Sequence, residues 1–240
     1  MKTILSLAAD GMSLQKAYQL ATTLRGIAVV KMHSLLDALG PMVLTCFELA
    51  GVKCWVDYKL HDTKDTVGLR VGALVKNGAK IITVHASGGV PMMKAAVEAT
   101  MSGCDEPVAE IYVITVLTSL DDAEIARIYG KDRTRLQIVE EFVRMAQEAG
   151  VRNIVCSALE LEHLKSIHEF AEMKFTIPGT RSVGADLGQQ KRSDTPGNTV
   201  ANGADGLVVG SQVTKAEDRV VAMDKFLAEV SEGEKRQAVV

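Results

Sequence analysis

The chain has 240 residues, 47% of them hydrophobic and 4% aromatic, with a formal net charge of −3. That apolar content supplies a real core, while the near-neutral balance and a pI near 6.0 exclude the basic surface that nucleic acid or an anionic membrane would select. Cys46, Cys54, Cys104 and Cys156 form no CxxC pair, so buried free thiols in a reducing compartment are expected, not a metal framework or a disulfide scaffold.

The opening MKTILSLAAD is too short an apolar run for a signal peptide and meets an acid at once. Within it TILSLAAD (3–10) reads as a strand, and Ser13 is placed to cap a helix with Leu14, Ala17, Tyr18, Ala21 and Leu24 on one face. IAVVKM (27–32) is the second strand, followed by helical periodicity through Leu49 and Ala50 to Gly51. CWVDYK (54–59) leads to a helix around 67–76 that stops at Asn77-Gly78. KIITVHA (80–86) precedes a helix begun by Pro91, a favoured first-turn residue. AEIYVITVL (109–117), NIVCS (153–157), KFTIPG (174–179) and DGLVVG (205–210) continue the strands, with helices between them and, after the last, over 215–230. The final SEGEKRQAVV (231–240) is polar and is expected to fray. No run approaches the roughly 18 uncharged apolar residues of a membrane span. A soluble, cytoplasmic protein is expected.

These strands are continuously apolar, as parallel strands covered on both faces must be. About eight β-then-α units without a dividing linker predict an α/β protein, a single (β/α)8 TIM barrel over 1–230 with a polar tail at 231–240. A doubly wound open sheet is the competing architecture and needs fewer strands.

In such a barrel the chemistry sits at the C-terminal strand ends. There the sequence places Asp10, Lys31, Asp57 with Lys59, His85, Thr118 with Ser119, Ser157, Thr180 with Arg181, and Gly210 with Ser211. A period of two puts Asp57 and Lys59 on one face of their strand, where Lys31 can reach them, and Asp62 follows just beyond. Carboxylates around a lysine keep it protonated, which suits delivery of a proton to carbon. A surface salt-bridge ladder is the bland reading, and it does not account for charges at successive strand ends. The long Gly-rich stretch 176–200, with Arg181, Gln189, Gln190, Lys191 and Arg192, followed by NGADGLVVGSQV (202–213), falls where barrels commonly bind phosphate. His85 reads as a neutral core histidine bonded to its neighbours, His61 and His163 as equally without a site role, and Met92 and Met93 as helix packing.

DYKLHDTKDTV (57–67) resembles the D-x-K-x-x-D…T signature of the orotidine 5′-phosphate decarboxylase family. The resemblance continues in order through TVHASGG (83–89), VITVLTSL (113–120), IPGTR (177–181), GADLGQQKRSDTP (184–196) and GADGLVVG (203–210). It implies decarboxylation of orotidine 5′-phosphate to uridine 5′-phosphate, in pyrimidine biosynthesis, with no metal or organic cofactor. It implies Lys59 as proton donor to C6, Asp57 beside the leaving carboxylate, Lys31 bridging acids and ribose, and Asp10 on the ribose. Asp62 and Thr66 would enter the site of a second subunit in a homodimer with shared active sites. Thr118 would meet the pyrimidine, and Arg181, Gln190, Gly210 and Ser211 the phosphate. The partner implied is a small-molecule nucleotide, with no nucleic acid and no membrane.

Three departures stand out. The usual Gly-Arg after the last strand is Gly210-Ser211, a loss worth about 1.5–3 kcal/mol of charge-assisted bonding. The usual D-I-P-N-T is Asp62-Thr63-Lys64-Asp65-Thr66, and the usual Lys-x-Gly is Lys31-Met32-His33. Two alternatives remain: a metal-dependent decarboxylase or synthase of a sugar phosphate, which would carry an acid where Lys31 stands, and a diverged barrel that binds a nucleotide or phosphate without turnover.

Overall fold

Strand and helix alternate along the chain because Val- and Ile-rich runs are separated by capped amphipathic segments. The computed structural model describes residues 2–101, 103, 106–184 and 193–238. The first half runs β1 (Ile4–Ala8), α1 (Leu14–Thr23), β2 (Ile27–Met32), α2 (Ser34–Leu39), α3 (Met42–Leu49), β3 (Lys53–Leu60), α4 (Lys64–Lys76), β4 (Ile81–His85) and α5 (Gly89–Ala99). The second half runs β5 (Glu110–Ile114), α6 (Asp122–Tyr129), α7 (Arg135–Glu148), β6 (Asn153–Val155), α8 (Ala158–Ser166), β7 (Lys174–Ile177), α9 (Pro196–Ala201), β8 (Gly206–Val209), α10 (Ser211–Thr214) and α11 (Arg219–Gln237). Every strand pairs in parallel with its chain neighbour, and β8 closes on β1. This is the predicted (β/α)8 barrel.

Strand parity sorts the apolar residues into two cores. Val30, Met32, Cys54, Val56, Ile82 and Val84 pack outward with helix residues such as Leu44, Phe47 and Met93 in one large cluster. Val29, Trp55, Ile81, Tyr112, Ile114, Val155 and Val208 form a second cluster with no helix residue in it, which is the barrel interior. Trp55 is its largest member and lies 5.2 Å, centroid to centroid, from the Tyr112 ring. Continuing the inward parity past each apolar residue gives the site: Ala8 leads to Asp10, Val29 to Lys31, and Trp55 to Asp57.

Helix boundaries differ from the sequence reading at five places. The stretch after β2 is two helices, because Gly40 adopts φ 73° and is followed by Pro41, which has no N–H to continue the ladder. α4 begins at Lys64, where the Thr63 hydroxyl accepts from the N–H of Thr66, and α5 begins at Gly89 with Pro91 inside its first turn. The Gly-rich stretch after β7 is not loop throughout, since Thr195 caps α9. The last helix runs beyond 230 to Gln237. It is held there because Glu234 accepts from the Thr3 N–H at 2.7 Å and Arg236 donates to Asn198 at 3.2 Å.

α9 and α11 cross at glycine. A Cβ on Gly233 would strike the Gly197 carbonyl and come within 2.8 Å of Val200 Cβ. By contrast, Gly72 in α4 has nothing within 4 Å of the same point. Gly233→Val is therefore expected to lower stability by about 1–3 kcal/mol through overpacking, whereas Gly72→Ala raises it by roughly 0.5–1 kcal/mol. Urea unfolding of the two variants checks both signs.

Candidate active site

The mouth of the barrel at the C-terminal strand ends opens into a cavity of about 860 Å³. Its wall includes Asp10, Lys31, Asp57, Lys59, Thr118 and Arg181, and further round Gly210 and Ser211. Trp55, Ile114, Val155 and Val208 are shared between this cavity and the interior core, so the floor is apolar. The site is thus a ring of polar strand ends above a hydrophobic plug.

Its centre is the Asp57 carboxylate, which is buried. One oxygen, Oδ2, accepts from Lys31 Nζ and from Lys59 Nζ, each at 2.9 Å. The other, Oδ1, is 3.0 Å from the hydroxyl of Thr83 on β4. Lys31 extends the chain of charge to Asp10, whose two oxygens lie 3.3 Å from its ammonium. His33 then reaches Asp10 Oδ1 at 3.0 Å. Its Nδ1 accepts from the Ser34 N–H at 2.6 Å, which leaves Nε2 as the ring nitrogen that faces Asp10.

The electrostatics follow from this geometry. Burial alone would raise the Asp57 pKa, but Lys31 and Lys59 outweigh it and hold the carboxyl below its ordinary value. Burial likewise works against charge on Lys31, and Asp57 and Asp10 outweigh it, so its pKa is raised. His85 is half-buried, bonds Ser87 Oγ at 3.1 Å, and is pushed down to about 4 by burial, then by His61 and Lys59. It is neutral, as expected, and forms no part of the cavity wall.

The close approach of Asp57 and Lys59 depends on an irregularity in β3. Val56 is opposite Ile82 and Leu60 is opposite Val84, so Asp57, Tyr58 and Lys59 share the single partner Thr83. Lys59 takes φ 47°, a left-handed conformation that glycine ordinarily fills. Its N–H is satisfied by Thr83 Oγ1 at 2.9 Å. Thr83 thus receives the Lys59 backbone and donates to the Asp57 side chain, and it is wholly buried. Tyr58, between the two charged residues, turns outward to Asp37 at 2.6 Å. Sequence reading missed Thr83, and its signal was a hydroxyl in the middle of the apolar run IITVH.

Other expected residues fall elsewhere. Asp62 and Thr66 stand outside this chain's cavity at the start of α4, where Asp62 accepts from the Thr63 N–H at 2.7 Å and Thr66 Oγ1 is 3.0 Å from Thr63 Oγ1. Ser157 faces α8 as its N-cap in a capping box with Glu160. Gln190 lies outside the described residues, as do Gln189, Lys191 and Arg192. Arg181 is buried, donates to the Thr180 carbonyl at 2.9 Å, and comes 3.3 Å from Ser211 Oγ.

The chain is similar to proteins of known type. A family model described as orotidine 5′-phosphate decarboxylase / HUMPS family matches residues 3–226. An orotidine 5′-phosphate decarboxylase of Paramagnetospirillum magneticum is 38% identical over 196 residues, covering 80% of this chain and 82% of that protein. One from Rhodopseudomonas palustris is 43% identical over 182 residues, 76% of this chain and 73% of the relative. Among solved structures, orotidine 5′-phosphate decarboxylase from Lactobacillus acidophilus superposes with a TM-score of 0.80 at 25% identity, over 96% of this chain and 99% of that one.

Two outcomes are expected of the charged centre. Thr83→Val leaves the Lys59 N–H and one Asp57 oxygen without their partner, and should cost about 1–3 kcal/mol, which Thr83→Ser restores. The pH dependence has a defined sign. Asp57 contributes stability above pH 3.8, lost as pH falls through its lowered native value; Lys31 contributes fully below pH 10.5, and that is lost as pH rises through its raised native value. Urea unfolding across pH should therefore show an acid limb that is flatter in Asp57→Asn than in the wild type.

Proposed function

The chain belongs to the orotidine 5′-phosphate decarboxylase / HUMPS family, and on that premise we propose that it converts orotidine 5′-phosphate to uridine 5′-phosphate and CO2 in pyrimidine biosynthesis, as a cytoplasmic enzyme. The observation that carries this reading is the Asp57 carboxylate with both the Lys31 and the Lys59 ammonium groups at 2.9 Å, on the wall of the cavity. Breaking the bond from C6 to the carboxylate leaves an electron pair on C6. Lys59 is the group proposed to place a proton there, giving the C–H bond of the product as CO2 departs. Asp57 orients that ammonium and lies beside the departing carboxylate. Lys31 neutralises the acids on either side of it and, with Asp10, meets the ribose.

The phosphate is assigned to the β7–β8 side, with Arg181, Gly210 and Ser211 as its contacts and Gln190 as a further one. It lies away from the carbon that reacts, so its binding energy can be used to hold the base in the charged centre. Thr118 is assigned to the pyrimidine edge. Asp62 and Thr66 are exposed or half-exposed on α4's leading turn, outside their own chain's cavity. In this reading they enter the site of a second copy, in a homodimer with shared active sites.

One observation separates this reading from a metal-dependent sugar-phosphate reaction. At the end of β2 the ammonium of Lys31 sits between the carboxylates of Asp10 and Asp57. A divalent cation would need an acid in that position, and the Lys31 charge would repel it.

The test is the ultraviolet absorbance change on mixing chelator-treated protein with orotidine 5′-phosphate. Turnover should survive chelation and fall at least about 100-fold in Lys59→Ala. No turnover from folded wild-type protein at high substrate would sink the reaction. The shared site has its own check. Mixing Lys59→Ala with Asp62→Ala subunits should restore about a quarter of wild-type activity, because each mixed dimer assembles one site free of both changes. If mixing restores nothing while each variant still dimerises, Asp62 acts within its own chain.

A further inference from the structure

The β7–β8 side of the cavity carries a cation that the reading above does not use. Lys215 lines the cavity immediately after α10. Its N–H donates to the Ser211 carbonyl at 3.0 Å, the i to i−4 bond of one helical turn. Residues four apart share a helix face, and side chains lean toward the helix N-terminus. Lys215 therefore stands one turn beyond Ser211 on the same side of α10, at the cavity wall. Ser211 Oγ in turn lies 3.3 Å from an Arg181 nitrogen, and Arg181 is itself fixed through the Thr180 carbonyl and by its own N–H to the Asp194 carbonyl at 2.9 Å.

The charges along the cavity are unevenly matched. The acids in its wall are Asp10 and Asp57, and both bond Lys31. Among the described residues no carboxylate forms an ion pair with Lys215. The two wall acids are thus committed to Lys31, while the other side carries the exposed Lys215 ammonium on the same wall as the Ser211 hydroxyl and the Arg181 guanidinium. An anionic group on the ligand is what that second side can take. An ammonium on a flexible stem serves as a point charge for such a group, without the paired geometry of a guanidinium.

We propose that Lys215 is a specificity-determining residue that closes on the phosphate of a 5′-phosphorylated nucleoside, with Arg181 as the fixed half of the clamp. This rests on the nucleotide reading of the site, and the test keeps the two apart. Uridine 5′-phosphate and uridine would be titrated calorimetrically into wild-type protein, Lys215→Ala and Lys215→Arg. Lys225→Ala, an exposed position on α11, serves as a control of equal charge change. Loss of a charge-assisted contact should weaken uridine 5′-phosphate by roughly 10- to 150-fold in Lys215→Ala and leave uridine unchanged. Lys215→Arg should retain most of the affinity, and Lys225→Ala all of it. Equal affinity of wild type and Lys215→Ala for uridine 5′-phosphate would overturn the proposal. So would an equal loss for both ligands, or a wild type that does not prefer the phosphorylated one. Turnover of orotidine 5′-phosphate is measured separately. A protein that discriminates through Lys215 but does not decarboxylate would keep the clamp and lose the reaction, and the reverse result would keep the reaction and lose the clamp.

Discussion

A buried carboxylate held between two ammonium groups is the constraint around which the rest of this molecule is arranged. Taking Asp57 out of water is unfavourable by itself, and each of its two lysines would be poorly placed without it. Together the three are favourable only if their geometry is kept to within tenths of an ångström. The barrel supplies that geometry through three adjacent strands. Lys31 arrives from β2, Asp57 and Lys59 from β3, and the Thr83 hydroxyl from β4. Because residues 57–59 share one partner on β4, the strand turns both charged side chains toward a common point, and Lys59 adopts a backbone conformation that costs of order 1–3 kcal/mol. Strain of that kind persists where the surroundings over-determine it, and here they do so through Thr83.

The opposite side of the mouth is built differently, and its support comes from further away. Arg181 is anchored by main-chain atoms of Thr180 and Asp194, and Asp194 also caps the approach to α9 by accepting from the Thr195 N–H at 2.6 Å. α9 is pressed against α11 at the Gly197–Gly233 crossing, and α11 is tied to the start of β1 through Glu234 and Thr3. A C-terminal helix that contributes nothing directly to the site therefore fixes the segment on which the buried guanidinium depends. This explains why that helix extends to Gln237 with ordered polar contacts, although its composition is that of a fraying tail.

The barrel was legible in the sequence because its signal is local. Largely apolar stretches of five to nine residues located every strand, and IAVVKM matched β2 to the residue. The polar strand ends then followed from parity. What escaped was whatever depended on pairing between strands. Lys59 in a left-handed conformation cannot be inferred from CWVDYK, since nothing in a lysine advertises positive φ; it arises from a register shift against β4. Thr83 looked like one more β-branched strand residue, and its hydroxyl has meaning only opposite that shift. Gly40-Pro41 was legible in principle, because both residues break helices, but helical periodicity on either side masked it. Lys215 was invisible for another reason: it is one helical turn beyond the glycine at which a strand-end search stops.

The charged centre also suggests how one family scaffold could support distinct chemistries through one strand end. With Lys31 at the end of β2, the carboxylates of Asp10 and Asp57 are bridged by a fixed ammonium and Lys59 completes the set. Exchange that lysine for an acid and three carboxylates would converge on Lys59 alone. Their mutual repulsion would then be relieved most simply by a divalent cation, and the site would become one suited to polarising oxygen, unlike the carbon protonation proposed for the present arrangement. The D-x-K-x-x-D pattern on β3 would be unchanged in both cases. In the proposed reading the discriminating residue thus lies on the neighbouring strand, in register with Trp55 of β3 and outside the D-x-K-x-x-D motif.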